Sequence, residues 1–151
     1  LRLLLDTTYL LPAIGITIKN LPKNILIELM RKNQIFISEA SIFELSAKGA
    51  NYIIKETLPI DRVIKGVKAI IYNEAISKIP IYEATVLTKA FKLKKFLSDF
   101  IDCLILSSAV NFCDALITED AEIQNLTKNK EFNEFIASIN SKFKIQKTPE
   151  I

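Results

Sequence analysis

Three short runs constrain the fold more than anything else in this chain: "LRLLLD" at 1–6, "IFIS" at 35–38 and "ALIT" at 115–118. Each is apolar with little or no alternation. A strand with one wet face alternates polar and apolar residues, because successive side chains point to opposite faces. Short continuous apolar runs belong instead to strands covered on both faces, as in a parallel sheet. Between them, apolar residues recur at helical spacing. The stretch 21–33 carries Ile25, Leu26, Leu29 and Met30, and 39–49 carries Ile42, Phe43 and Leu45 with Gly49 as its stop. "TTYLLPAIG" starts a threonine-capped helix that breaks between Pro12 and Gly15. Pro59 opens a helix over 59–76, and "IPIYE" at 79–83 reads as a third strand. Residues 84–97 form a lysine-faced helix and 99–112 a nearly all-apolar one. "EDAEIQNLTKN" begins a helix at an acidic turn, and "FNEFIASI" and "FKIQ" add a last helix and a short edge strand. Strands alternating with helices define an α/β fold around a mostly parallel sheet. At 151 residues, with no repeat, linker or low-complexity block, the chain suits one domain with a proper core.

The composition removes most reaction classes. There is no histidine, which excludes Ser-His-Asp and Cys-His catalysis and the usual zinc hydrolase motifs. Three glycines are too few for a Gly-rich phosphate loop. Cys103 and Cys113 lie in one predicted helix with Cα atoms ~15 Å apart, too far for a disulfide, so they read as reduced core residues. No apolar run reaches the ~18–20 residues of a membrane span, and no leader opens the chain, so the expectation is a cytoplasmic protein without membrane attachment. A net charge of +3 is too small to identify a nucleic-acid binder. The lysine groups "KAFKLKK" at 89–95 and "KFKIQK" at 142–147 read as a solvated helix face and a solubilised tail, with phosphate contact as the alternative.

Carboxylates are what remain. "SDFIDCLILSSAV" at 98–110 keeps Asp102 inside an apolar stretch, and a lone buried carboxylate shifts its pKa, finds a partner or binds a metal. In a parallel α/β sheet all strand C-termini lie on one edge, where ligands bind. Asp6 ends the first strand, Asp120 follows "ALIT", Glu44 sits in the second turn of the helix leaving "IFIS", and Asp102 sits in the first turn of the helix that returns to "ALIT". Each aspartate has a capping alternative, with Asp99 and Asp102 as N-cap and N3 of one helix. Glu44, inside a helix, has none. Four carboxylates on one edge call for protons or cations, and an all-oxygen donor set favours Mg²⁺ or Mn²⁺. Such ions activate water and stabilise the leaving oxygen of a phosphodiester.

The ordered segments "LLLDTTYLL" at 3–11, "SEASIFEL" at 38–45, "DCLILSSA" at 102–109 and "ALITED" at 115–120 resemble the successive motifs of the PIN-domain nucleases. The resemblance spans about residues 2 to 146, with an undistinctive middle. It implies a three-layer α/β/α sandwich, a single nuclease domain over 1–151, and a Mg²⁺- or Mn²⁺-dependent ribonuclease. It makes Asp6, Glu44, Asp102 and Asp120 the catalytic metal ligands, with Thr118 supporting them by hydrogen bonding. The sequence departs from the family pattern where "TEDAEI" lacks the aromatic that often follows the last acid, and Glu119 adds a charge, read here as a solvated turn residue with the metal shell as the alternative. The small form is most like the VapC-type toxins of VapBC toxin–antitoxin pairs. That implies an RNA substrate, a cognate antitoxin and a homodimer. Two other readings stand beside it. One is a non-catalytic RNA- or protein-binding module on the same fold. The other is a metal-dependent phosphatase or phosphoacceptor, against which Thr8 stands where the phosphatase pattern has a second aspartate.

Overall fold

The computed structural model describes residues 1–148, so residues 149–151 of the expected domain lie outside the described residues. Five strands form one sheet: β1 (Arg2–Leu5), β2 (Gln34–Ser38), β3 (Ile76–Ile79), β4 (Ala115–Ile117) and β5 (Lys144–Gln146). They lie in the order β3-β2-β1-β4-β5, every pair parallel. Helices cover both faces: α1 (Ile25–Lys32), α2 (Glu39–Ile54), α3 (Ile60–Tyr72), α4 (Ala84–Leu93), α5 (Phe100–Phe112), α6 (Ala121–Asn125) and α7 (Lys130–Ile139). This is the α/β fold around a parallel sheet that the strand–helix alternation predicts, and the sandwich that the family resemblance implies.

The unbroken hydrophobicity of β1 follows directly from its place at the centre of the sheet. Leu3 and Leu5 point into a core shared with α1, α2 and α3, while Leu4 points into the opposite core under α4, α5 and α7. All three are buried. α5 is enclosed along most of its length, from Cys103 to Val110, which explains its nearly unbroken apolar sequence. Cys103 and Cys113 are buried free thiols, the second at the C-cap of α5. Among the described residues no helix is long and apolar enough to cross a membrane.

Several local expectations are corrected. The segment after β1 is a 3-10 helix over Thr7–Ile14, and its cap is Asp6, whose side chain accepts the Thr8 N–H; no threonine caps it. It ends at Gly15, where φ of 96° needs a residue without Cβ. Gly49 does not stop α2. The helix runs on to Ile54, and a Cβ at position 49 would come within 2.6 Å of Val63 on α3, so this glycine permits close helix packing. The third strand is Ile76–Ile79, not 79–83, because Pro80 has no N–H to continue the ladder, and α3 stops at Tyr72 to leave room for it.

Candidate functional site

Moving outward from β1, the sheet continues through β2 and β3 on one side and through β4 and β5 on the other. The elements after β1 and those flanking β4 pack on opposite faces, so a crevice opens beyond the carboxyl ends of β1 and β4. The register determines who meets there. Leu5 pairs with Ile117, and the Asp6 N–H extends the ladder by donating to the Ile117 carbonyl at 3.2 Å. The next side chains are Asp6 and Thr118, and the Thr118 hydroxyl donates to Asp6 Oδ2. Asp6 Oδ1 accepts the Thr8 N–H at 3.0 Å. Thr118 Oγ1 also accepts the Asp120 N–H at 3.0 Å, so one buried hydroxyl fixes both the first acid and the turn that carries the last. Asp120 Oδ1 caps α6, accepting the Glu122 and Ile123 N–H groups at 2.8 and 3.2 Å.

Glu44 reaches the same crevice from the second turn of α2, which starts where β2 ends. α5 begins at this edge because it must lead back to the start of β4. Its N-cap Asp99 uses Oδ1 to accept the Ile101 N–H at 2.9 Å. Asp102, one turn on, accepts no hydrogen bond from any described residue, so the reciprocal half of a capping box is missing. Carboxylate oxygens of Glu44, Asp99 and Asp102 lie within 4.8 Å of one another. All six carboxyl residues, Asp6, Glu44, Asp99, Asp102, Glu119 and Asp120, line one cleft of about 320 Å³, with Lys48 as the single cation among the lining residues.

Such crowding opposes ionisation. Burial, followed by the charges of Asp99, Asp120 and Glu44, pushes the Asp102 carboxyl up to about 7. Burial likewise dominates at Asp6, which is only 8% exposed. Hydrogen bonds from Thr118 and Thr8 pull its pKa down and the charges of Asp120 and Glu44 push it up, leaving it at about 6. The structure thus brings Asp6, Glu44, Asp102 and Asp120 to one cleft, with the buried Thr118 hydroxyl bonded to Asp6 and to the Asp120 N–H, but the tightest carboxylate group contains Asp99 in place of Asp6 and Asp120. Asp99 reads from sequence as a cap, and it is one; its spacing of three from Asp102 was the signal that both face the same side. Glu119 is exposed in its turn, as the sequence suggests, but it also lines the cleft and is held there by two hydroxyls. Its Oε1 accepts the Tyr9 hydroxyl at 2.8 Å and the Thr148 hydroxyl at 2.6 Å. Burial pushes its pKa up, but the bonds from Thr148 and Tyr9 outweigh that and hold it below the ordinary value.

The donor set suits a hard divalent cation. Among the described residues no basic side chain pairs with any of the three converging carboxylates, every donor is oxygen, and Thr7, which lines the same cleft, has a buried Oγ1 with no hydrogen-bond partner. Neither lysine group lines the cleft. Lys95 pairs with Glu131, and Lys94 donates to the Ser98 carbonyl at 2.5 Å.

Comparison with known proteins agrees with this architecture. No curated protein matches the chain. Among solved structures, the crystal structure of VapBC2 from Rickettsia felis bound to a DNA fragment from their promoter is similar in fold, with a TM-score of 0.59 at 19% identity, covering 97% of this chain and 98% of that one. The family model of the PIN domain matches residues 3–129, well over half of the sequence. The chain therefore belongs to the PIN domain family.

Proposed function

We propose that this protein is a metal-dependent endoribonuclease that hydrolyses RNA phosphodiester bonds in the acidic cleft, acting in the cytoplasm as the toxin of a toxin–antitoxin pair. One observation carries the reading: carboxylates from β1, α2, α5 and the turn after β4 converge in a cleft at the point where the sheet's connectivity reverses. An all-oxygen site there suits phosphoryl chemistry, and the absence of histidine leaves no other general base of the usual kind. Membership of the PIN domain family supports nuclease activity. The similarity in fold to a VapBC2 complex supports the toxin assignment and an antitoxin as partner.

In this reading Glu44, Asp99 and Asp102 would hold Mg²⁺ or Mn²⁺, with Asp6 and Asp120 completing the site from the sheet edge. Such an ion would supply positive charge for a leaving oxygen and for the activation of water. The chain does the rest by position. Thr118 orients Asp6 through its hydroxyl and holds the Asp120 turn through the Asp120 N–H. The N-terminus of α5 places Asp99 and Asp102 one turn apart at the positive end of the helix dipole. Tyr9 and Thr148 fix Glu119 in the cleft lining through its Oε1.

The test is cleavage of a mixed panel of structured and unstructured RNAs in Mg²⁺, Mn²⁺ or EDTA, with wild type beside Glu44→Gln. Metal-dependent cleavage that disappears in the variant supports the reading. RNA or protein binding that is insensitive to metal, with no cleavage and an indifferent Glu44→Gln, contradicts it and favours a non-catalytic module.

A further inference from the structure

Lys48 is the one basic residue among those lining the acidic cleft. It follows Glu44 by four residues on α2, so the two side chains leave the same face one turn apart. Glutamate preceding lysine at this spacing is the favourable order for a helix-surface ion pair. No such pair forms. Among the described residues Lys48 pairs with no carboxylate, although six line the cleft with it. It donates no hydrogen bond to a described residue either, while Lys78 and Lys94 donate to the carbonyls of Asn73 and Ser98. The cleft therefore holds one exposed, uncommitted ammonium among its acids.

A phosphodiester entering this cleft carries a negative charge into a field of carboxylates. A cation held by Glu44, Asp99 and Asp102 offsets part of that repulsion at one end. We propose that Lys48 offsets it at the other, by binding a non-bridging oxygen of the substrate phosphodiester; the proposal rests on the nuclease reading of the cleft. One helical turn, ~5.4 Å, separates Lys48 from Glu44, a span that a tetrahedral phosphate and the flexible lysine stem together cover. A compact ammonium positions phosphate without reading base identity, so the contact serves any RNA the cleft admits. Lys48 is thus a substrate-binding residue, and the lysine groups at 89–95 and 142–147, which do not line the cleft, are not required for this contact.

The experiment compares wild type, Lys48→Gln and Lys48→Arg in full-length protein. It measures kcat and KM on a short single-stranded RNA in Mn²⁺ over a series of KCl concentrations, and Mn²⁺ affinity by calorimetry without RNA. In Lys48→Gln, KM rises on the order of tenfold while kcat changes far less, and the salt dependence of log(kcat/KM) becomes shallower by about 0.7, the loss of one phosphate contact. Lys48→Arg recovers most of both. Mn²⁺ binds Lys48→Gln no more weakly than wild type, because a like charge has gone. If Lys48→Gln keeps the wild-type KM and salt slope while wild type cleaves, the lysine proposal is overturned and the nuclease reading stands. If Lys48→Gln instead loses Mn²⁺ affinity, the lysine organises the acids and the proposal is likewise overturned. If wild type binds Mn²⁺ and cuts no RNA, the nuclease reading falls and this proposal with it.

Discussion

The two edges of the sheet treat their acids in opposite ways. At the edge where the strands begin, Asp114 meets Arg2: Oδ1 lies 3.1 Å from the guanidinium, and Oδ2 accepts the Arg2 N–H at 2.7 Å. The side-chain hydrogen bond from Arg2, its backbone N–H and its charge hold the Asp114 carboxyl below its ordinary value. At the edge where the strands end, no basic side chain among the described residues pairs with Asp6 or Asp102, and they are pushed up to about 6 and about 7. An acid whose purpose is to hold the fold is given a cation by the fold. A group of acids left unbalanced within a well-packed molecule stores repulsion that only protons or an added cation relieve. The contrast teaches that the carboxyl-end cleft is arranged for something the chain does not itself contain.

The largest effect that tests the contrast is on activity. Asp102→Asn keeps the shape and removes one charge. It should lower metal-dependent RNA cleavage by on the order of 10²–10³-fold while raising the melting temperature of the metal-free protein at pH 8. Loss of activity together with loss of stability would place Asp102 among the structural acids. Next is Thr118→Val, which leaves the Asp6 carboxylate without its hydroxyl donor. A bond to a charged group contributes roughly 1.5–3 kcal/mol, so urea unfolding at pH 8 should show a loss of that size, shrinking at pH 5 where Asp6 is protonated.

A smaller and more diagnostic effect is the sign of the pH dependence. Asp6 and Asp102 titrate higher in the folded state than their ordinary 3.8. Between about pH 4 and pH 7 the folded protein therefore holds more protons than the unfolded chain, and metal-free stability falls as pH rises through that window. Mn²⁺ should flatten this slope, adding about 2.7 kcal/mol at a hundredfold excess over Kd. Asp114 runs the other way: its folded pKa is lowered, so its contribution is present above the ordinary carboxylate value and is lost as pH falls below it. A melting temperature that rises from pH 5 to pH 8 without metal would contradict the account of the cleft. The smallest effect belongs to Arg2→Ala, because an exposed pair contributes little. It should leave both cleavage and Mn²⁺ affinity unchanged, and a fall in either would mean that the two edges are coupled.

What the sequence reveals here depends on how local the cause is. The burial of β1 on both faces is written in Leu3, Leu4 and Leu5, and the topology then brings Asp6, Glu44, Asp102 and Asp120 to one edge without any knowledge of side-chain contacts. Tertiary causes are not legible in the same way. Gly49 looks like a helix stop until Val63 is seen packed against it. Glu119 is exposed, as its place in an acidic turn suggests, but its partners, Tyr9 and Thr148, stand 110 and 29 residues away and leave no local trace. Asp99 was half legible: one oxygen caps α5, as its position before Phe100 suggests, while the carboxylate as a whole also belongs to the group with Glu44 and Asp102. Pro80 marks the end of β3, whereas a strand over 79–83 would need it inside.

The most direct test of the account is to soak crystals of the protein in Mn²⁺ and locate the ion by anomalous diffraction. The account predicts a peak bounded by Glu44, Asp99 and Asp102, absent in crystals of Asp102→Asn. No peak in that cleft at saturating Mn²⁺, or a peak only at Asp114, would contradict it.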